Sequence, residues 1–170
     1  MSGVVFEKVK ALIVEDNTHM RSLLRALLNA LEITQIAEAA HGGSGLEVLR
    51  ERKTDLVLCD MAMTPIDGIE FTRHVRNDKQ SANPFVPIIM ISGHTEKHRV
   101  EAARDAGITE FLAKPVTSQH LFSRIAEILE RPRPFVRCEN YFGPDRRRHQ
   151  TEGYCGPWRR KEDLHDVMVR

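Results

Sequence analysis

Long hydrophobic runs are missing from these 170 residues. A membrane-spanning helix needs about twenty consecutive apolar residues, and no stretch here approaches that, so insertion into a membrane is not expected. Cysteine is scarce, with three in the chain, and one of them, Cys59, closes an apolar run rather than pairing across a loop. A disulfide framework is therefore not expected. The first ten residues, Met1 to Lys10, have no apolar core of a secretory signal, and the cytoplasm is the expected location. Charge of one sign is also lacking overall, the net being +1, yet residues 1–130 carry 15 basic and 18 acidic side chains while residues 131–170 carry ten and six. A mildly acidic body followed by a basic tail implies separate roles for the two parts. The hydrophobic share of 41% and charged share of 29% fit one globular domain, taken as residues 1–130, with an appendage, residues 131–170.

Four short apolar runs end in chemistry. Ala11-Leu12-Ile13-Val14 ends in Glu15-Asp16, and Asp55-Leu56-Val57-Leu58-Cys59 ends in Asp60. Ile88-Ile89-Met90-Ile91 ends in Ser92, and Phe111-Leu112-Ala113 ends in Lys114-Pro115. Strands of a parallel sheet, covered on both faces, read as unbroken apolar runs. Open α/β sheets carry their functional groups at the carboxyl ends of such strands. Between the runs lie helical patterns. Met20, Leu23, Leu24, Leu27, Leu28 and Leu31 recur at helical spacing, with Thr18 as candidate N-cap. Leu46 and Leu49 mark a second helix after Gly42-Gly43, Ile69 and Val75 a third after Asp67-Gly68. Residues 95–106 form a polar fourth helix with Val100, Ala103 and Ala106 as its apolar stripe, and residues 121–129 mark a fifth. Ile36-Ala37-Glu38-Ala39 reads as a half-exposed strand. Strand and helix alternate five times, which argues an α/β fold with a parallel sheet between helices.

The strand ends thus bring three carboxylates, a hydroxyl and an amine to one edge. Glu15, Asp16 and Asp60 would repel one another without a cation, and Mg²⁺ takes hard oxygen ligands of this kind. A carboxylate can attack a phosphoryl group and form an aspartyl-phosphate. The charge that builds on the transferring oxygens needs the metal and a cation such as Lys114, and Ser92 can bond one oxygen of the acquired group.

The order and spacing of Val14-Glu15-Asp16-Asn17, Asp60 through Gly68, Ser92-Gly93 and Lys114-Pro115 resemble the receiver domain of bacterial two-component response regulators, in particular the single-domain, chemotaxis-regulator-like members. The resemblance runs from about Val9 to Glu130. It implies a doubly wound, flavodoxin-like sheet of five parallel strands in the order 2-1-3-4-5. It implies that Asp60 is the phosphoacceptor, served by a histidine kinase or histidine phosphotransfer protein, and that the protein signals by protein-protein interaction rather than as a conventional enzyme. Mg²⁺ would be held by Asp16 and Asp60, by Glu15 mainly through water, and by the backbone carbonyl of Ala62. Ser92 and Phe111 would form a switch pair, Lys114 would contact phosphate, and the peptide before Pro115 would be cis. The surface from the fourth to the fifth helix would be the output face. Thr64 precedes Pro65 where proline commonly comes one residue earlier, Gly93 replaces a commoner alanine, and Phe111 lacks the frequent tyrosine hydroxyl.

The tail begins with Arg131-Pro132-Arg133-Pro134, which ends the helix and starts an extended segment. It contains an echo, Gly143-Pro144-Asp145-Arg146-Arg147-Arg148 against Gly156-Pro157-Trp158-Arg159-Arg160-Lys161, and five of the ten aromatic residues of the chain. An extended C-terminal arm is expected, ordered on a surface that is either the receiver or a partner protein. Tyr141, Phe142 and Trp158 would be its anchors, and Arg146, Arg147, Arg159 and Arg160 its charges. Cys138, His149, Cys155 and His165 are too widely spaced for the close pairs of a zinc site. His41, His74, His94 and His98 read as exposed polar residues. Two other readings rest on the tail: a scaffold with vestigial phosphorylation, and a nucleic-acid-binding regulator. The tail has no helix-turn-helix pattern and little net charge, which disfavours nucleic acid.

Overall fold

In the computed structural model, which describes residues 6–146 and the strand 167–169, five parallel strands are laid out in the order β2-β1-β3-β4-β5. They are β1 (Lys10–Val14), β2 (Gln35–Ala39), β3 (Leu56–Asp60), β4 (Ile88–Ser92) and β5 (Glu110–Ala113). The central strands β3 and β4 are buried along their whole length, whereas at the edges β5 alternates and β2 buries only Ala39. Burial on both faces is what makes the central strands unbroken apolar runs.

Alternation along each strand sorts the core into two layers. Ile13, Leu58, Ile89 and Ile91 face one side and meet Leu24 and Leu28 of α1 (Thr18–Ala30) with Leu121, Ile125 and Ile128 of α5 (Ser118–Glu130). Leu12, Val57, Cys59, Ile88 and Met90 face the other. There they meet Leu49 of α2 (Gly42–Glu51), Phe71 and Val75 of α3 (Gly68–Asn77) and Ala103 of α4 (Lys97–Ala106). Each strand residue thus commits to one helix layer by its parity.

Helix starts are local. The N-cap of α1 is Asn17 rather than Thr18: its side chain accepts from the Met20 N–H at 3.0 Å, and an amide oxygen one residue before the helix is better placed than a hydroxyl already inside it. His41, exposed as expected, caps α2 by accepting from the Ser44 N–H at 3.1 Å. Asp67 and Thr117 cap α3 and α5. Helix α4 begins at Lys97, two residues later than its expected start, and its N-cap Glu96 makes no side-chain capping bond.

The described residues beyond α5 form a small sheet of their own rather than a single arm. Strands β6 (Phe135–Cys138) and β7 (Tyr141–Pro144) form an antiparallel hairpin, and β8 (Val167–Val169) pairs with the other edge of β6. The surface that orders this part of the arm is the receiver itself. Phe135, Val136 and Phe142 are buried, and the rings of Phe135 and Phe142 lie 5.2 and 5.3 Å from Phe85 in the loop before β4. Beneath them is Arg76 of α3, 1% exposed. Its Nε donates to the Gly107 carbonyl at 2.9 Å, one terminal nitrogen donates to Pro84 and Val86, and the Phe135 ring covers its carbon at 5.0 Å. Burial lowers this guanidinium to about 9, so it remains charged at neutral pH. Arg133 in the linker and Arg124 on α5 both pair with Glu110, a buried carboxylate on β5. Among the described residues, no helix is long and apolar enough to cross a membrane.

Candidate phosphoacceptor site

Adjacent parallel strands with matched register place their ends side by side. Val14 lies opposite Cys59 and Asp60 opposite Ile91, so Glu15, Asp16, Asp60 and Ser92 emerge together at the carboxyl edge. Lys114, just beyond β5, is tied to this edge by its backbone N–H, which donates to the Ser92 carbonyl at 2.8 Å. Its peptide bond to Pro115 is cis, as is that between Thr64 and Pro65.

Asp60 is held at both oxygens. One lies 2.8 Å from Lys114 Nζ, and the other accepts the Ala62 N–H at 3.1 Å. The same ammonium is 3.5 Å from Glu15, whose other oxygen accepts the Asn17 N–H at 3.1 Å. Glu15 and Asp60 are buried, while Asp16 is exposed. Burial, then the charge of Asp60, pushes the Glu15 carboxyl above its ordinary range, with the Asn17 N–H and Lys114 opposing. Burial pulls Lys114 down, but the hydrogen bond and charge of Asp60, joined by Glu15, outweigh it and leave the ammonium above its usual value. The cluster thus holds a proton on Lys114 and resists a second bare charge on Glu15. Cys59, directly beneath, is no rival nucleophile: burial and then the neighbouring carboxylates push its thiol well up.

The donor set suits a hard divalent cation. Glu15, Asp16 and Asp60 each offer a carboxylate oxygen, and these lie within 4.8 Å of one another. All donors are oxygens, one carboxylate faces solvent, and the buried pair has a single ammonium between its two charges, a deficit that a cation would neutralise.

The two sides of the site differ. On the α3 side Gly68 lets the helix start abut the strand: a β-carbon there would stand 2.3 Å from the Asp60 carbonyl oxygen and 2.7 Å from Met90 Sδ. The Gly68 N–H donates to the Met61 carbonyl at 3.0 Å. On the β4 side the Ser92 hydroxyl is engaged with the loop after it, accepting the His94 N–H at 2.9 Å and lying 3.2 Å from the His94 carbonyl. A β-carbon at Gly93 would meet nothing within 4 Å. Phe111, opposite Met90 across the β4–β5 pairing, is half-buried against the α2–α4 layer of the core.

The structure therefore brings Glu15, Asp16, Asp60, Ala62, Ser92 and Lys114 together. Of the tail residues, Tyr141, Phe142 and Arg146 lie in or next to the hairpin, away from this edge, and Arg147, Trp158, Arg159 and Arg160 lie outside the described residues. Sequence reasoning missed Arg76 and Glu110. An arginine and a glutamate in polar surroundings give no signal of burial when their partners are distant backbone carbonyls and a linker arginine.

Known proteins resemble this chain in sequence and fold. A family model described as the response regulator receiver domain matches residues 11–126. The chemotaxis protein CheY of Pseudomonas aeruginosa is 32% identical over 123 residues, which are 72% of this chain and 98% of that protein. Chemotaxis protein CheY-3 of Vibrio cholerae is 28% identical over 131 residues, 77% of this chain and 99% of its own. Among solved structures, Vibrio cholerae CheY4 superposes with a TM-score of 0.65 at 26% identity, covering 71% of this chain and 98% of that one. The receiver domain of a Pseudomonas aeruginosa sensor histidine kinase, with a magnesium ion coordinated in its active site cleft, superposes at 0.63 with 26% identity, covering 71% and 96%. The strand order, the clustered carboxylates and the match over most of the chain have one meaning: the chain belongs to the response regulator receiver family.

Proposed function

We propose that this protein is a phosphorylation-controlled switch that accepts a phosphoryl group on Asp60 from a histidine kinase or histidine phosphotransfer protein. The observation that carries the reading is the double hold on Asp60, with Lys114 at 2.8 Å on one oxygen and the Ala62 N–H at 3.1 Å on the other. A carboxylate so held is oriented before the donor arrives, which removes part of the entropic cost of transfer.

In the transfer, a carboxylate oxygen of Asp60 bonds to phosphorus while the phosphorus–nitrogen bond of the donor imidazole breaks, and the imidazole leaves with the electron pair. Glu15, Asp16, Asp60 and the Ala62 carbonyl would hold Mg²⁺, which when bound offsets the negative charge of the incoming phosphoryl oxygens. Lys114 turns from Asp60 toward those oxygens, keeping its proton because anions remain around it. The Ser92 hydroxyl leaves the His94 backbone and donates to a phosphoryl oxygen. The space vacated beside β4 then admits the ring of Phe111.

The acquired group thus changes the contacts of Ser92 and His94, and the signal leaves through the surface from α4 to α5 toward a protein partner. The basic tail beyond the hairpin, with Arg147, Trp158, Arg159 and Arg160, is a second contact for that partner. The deciding experiment is labelling with a small phosphodonor and Mg²⁺. Label appears on the wild type and is lost in Asp60→Asn or on chelation of the metal. Undiminished label on the Asp60→Asn protein refutes the assignment.

A further inference from the structure

Helix α4 is anchored unevenly. Its first three residues, Lys97 to Arg99, are exposed, as are residues 93–96 leading into it, and its start has no side-chain cap. Its buried residues, Ala103 and Ala106, lie in the second half. That second half is where the C-terminal hairpin sits. The helix ends at Gly107 in the left-handed region, φ 102°, and a β-carbon there would stand 2.7 Å from the Phe142 carbonyl oxygen. From the other side, a β-carbon at Gly143 would stand 2.5 Å from the Tyr141 hydroxyl and 2.8 Å from Gly107 Cα. Backbone meets backbone here, with the Tyr141 ring closing the contact on the hairpin side. Arg146 adds an ion pair to Asp105 of α4 at 2.8 Å and lies over the Tyr141 ring at 4.1 Å. Arg76 closes the contact by donating to the Gly107 carbonyl beneath the Phe135 ring. The hairpin lies beyond the matched family domain, which ends at residue 126.

We propose that the hairpin is a clamp on the C-terminal end of α4 that couples the tail to the phosphoacceptor site. The inference rests on Asp60 being the phosphorylated residue. When the Ser92 hydroxyl leaves the His94 backbone, the exposed start of α4 loses the contact that ends its incoming loop. The tilt of the helix is then carried along its axis to the end at Gly107. Side chains commonly absorb small tilts by changing rotamer, but a contact between two glycine backbones cannot, so a tilt of α4 displaces β7. Phosphorylation loosens the hairpin and, by linkage, the docked hairpin opposes phosphorylation by the same factor. The loosened state uncovers Phe135, Phe142 and the Arg76 guanidinium together, an aromatic and cationic surface that the resting state conceals.

The test uses the full chain, with beryllofluoride and Mg²⁺ as the phosphoryl mimic, and reads amide hydrogen exchange. Exchange at Phe135–Pro144 is expected to accelerate about fivefold or more when the mimic binds, within the usual range of coupling between sites. Asp105→Arg, which repels Arg146, and Gly143→Ala, which wedges a methyl group against the Tyr141 hydroxyl and Gly107, should each tighten mimic binding. The gain in affinity should be no greater than the acceleration seen in the wild-type hairpin. Mimic binding that leaves hairpin exchange unchanged or slower overturns the clamp while leaving Asp60 as the acceptor. If the wild type neither binds the mimic nor takes label, the phosphoacceptor reading fails and the clamp with it. Should either variant misfold, the wild-type exchange measurement decides alone.

Discussion

Truncating Phe142 to alanine tests whether the hairpin is part of the folded unit. The ring is 3% exposed and touches Phe85, Phe135 and the Arg137 guanidinium, which lies over it at 4.0 Å. Removing a buried phenylalanine costs about 3–5 kcal/mol in a rigid core. This cluster is peripheral, with the hairpin free to settle inward, so the lower end, about 3 kcal/mol, is expected. With a urea dependence of about 2 kcal/mol per molar, the denaturation midpoint should fall by about 1.5 M. Circular dichroism in urea measures this. If the hairpin undocks before the sheet unfolds, the cost appears instead as faster amide exchange in β6 and β7. A midpoint within about 0.2 M of wild type, with unchanged exchange in those strands, refutes the docking. Ending the chain after Glu130 takes the same perturbation to its limit. Phe135, Val136 and Phe142 belong to neither layer of the main core, so the truncated receiver should fold, at a lower midpoint, and still accept label at Asp60.

Ala62 has a methyl group where an amide would orient an attacking water, so Ala62→Asn should shorten the lifetime of the aspartyl-phosphate by positioning that water; an unchanged or slower loss of label rejects this. Tyr141 donates to the Pro144 carbonyl at 2.8 Å, and burial raises its phenol above the usual value despite the hydrogen bond and charge of Arg146. An acid whose folded value is raised stabilises the fold below its unfolded value and loses that contribution as pH rises, so the hairpin should weaken above about pH 10. Arg76, lowered by burial to about 9, acts in the opposite sense over the same range, and Tyr141→Phe separates the two: the fall of the urea midpoint above about pH 10 should be smaller in the variant. Arg76→Met should be tolerated better than Arg76→Ala, because it fills the space under Phe135 without a buried charge; the difference in thermal midpoint measures it, and a Met variant as unstable as the Ala variant contradicts the packing.

The sheet and the site could be read from the residues because both obey local rules. Strands buried on both faces are apolar at every position, and Asp60, Glu15 and Lys114 stand out as charges directly after such runs. The order of the strands came through family resemblance, since the runs themselves do not say which neighbours pair. The tail hairpin was not legible. Phe135-Val136-Arg137-Cys138 follows two prolines and contains an arginine, so it reads as linker, and its counterpart on the receiver is Arg76. Arg76 falls on the inward side of α3, four residues after buried Thr72, but its charge argues for solvent. Its burial depends on three backbone carbonyls from two distant loops, which no local pattern announces. The N-cap of α1 differed for a smaller reason, an asparagine just before a threonine, both competent caps.

Gly68 gives the site one immovable wall. With no side chain at the start of α3, the helix bears directly on the Asp60 backbone, and any displacement there would dislodge the acceptor from Lys114 and Ala62. The opposite wall, Ser92 to His94, is held by two hydrogen bonds at one hydroxyl and has open space at Gly93. A chemical event at Asp60 therefore has a direction built into it. If Asp60 takes a phosphoryl group as proposed, stress cannot relax into α3 without undoing the hold of Lys114 and Ala62 on the acceptor, so it would relax toward β4 and α4. On that reading the polarity of the signal would be a property of one absent side chain, and a residue as small as alanine at position 68 would blunt it by making the acceptor strand itself the part that yields.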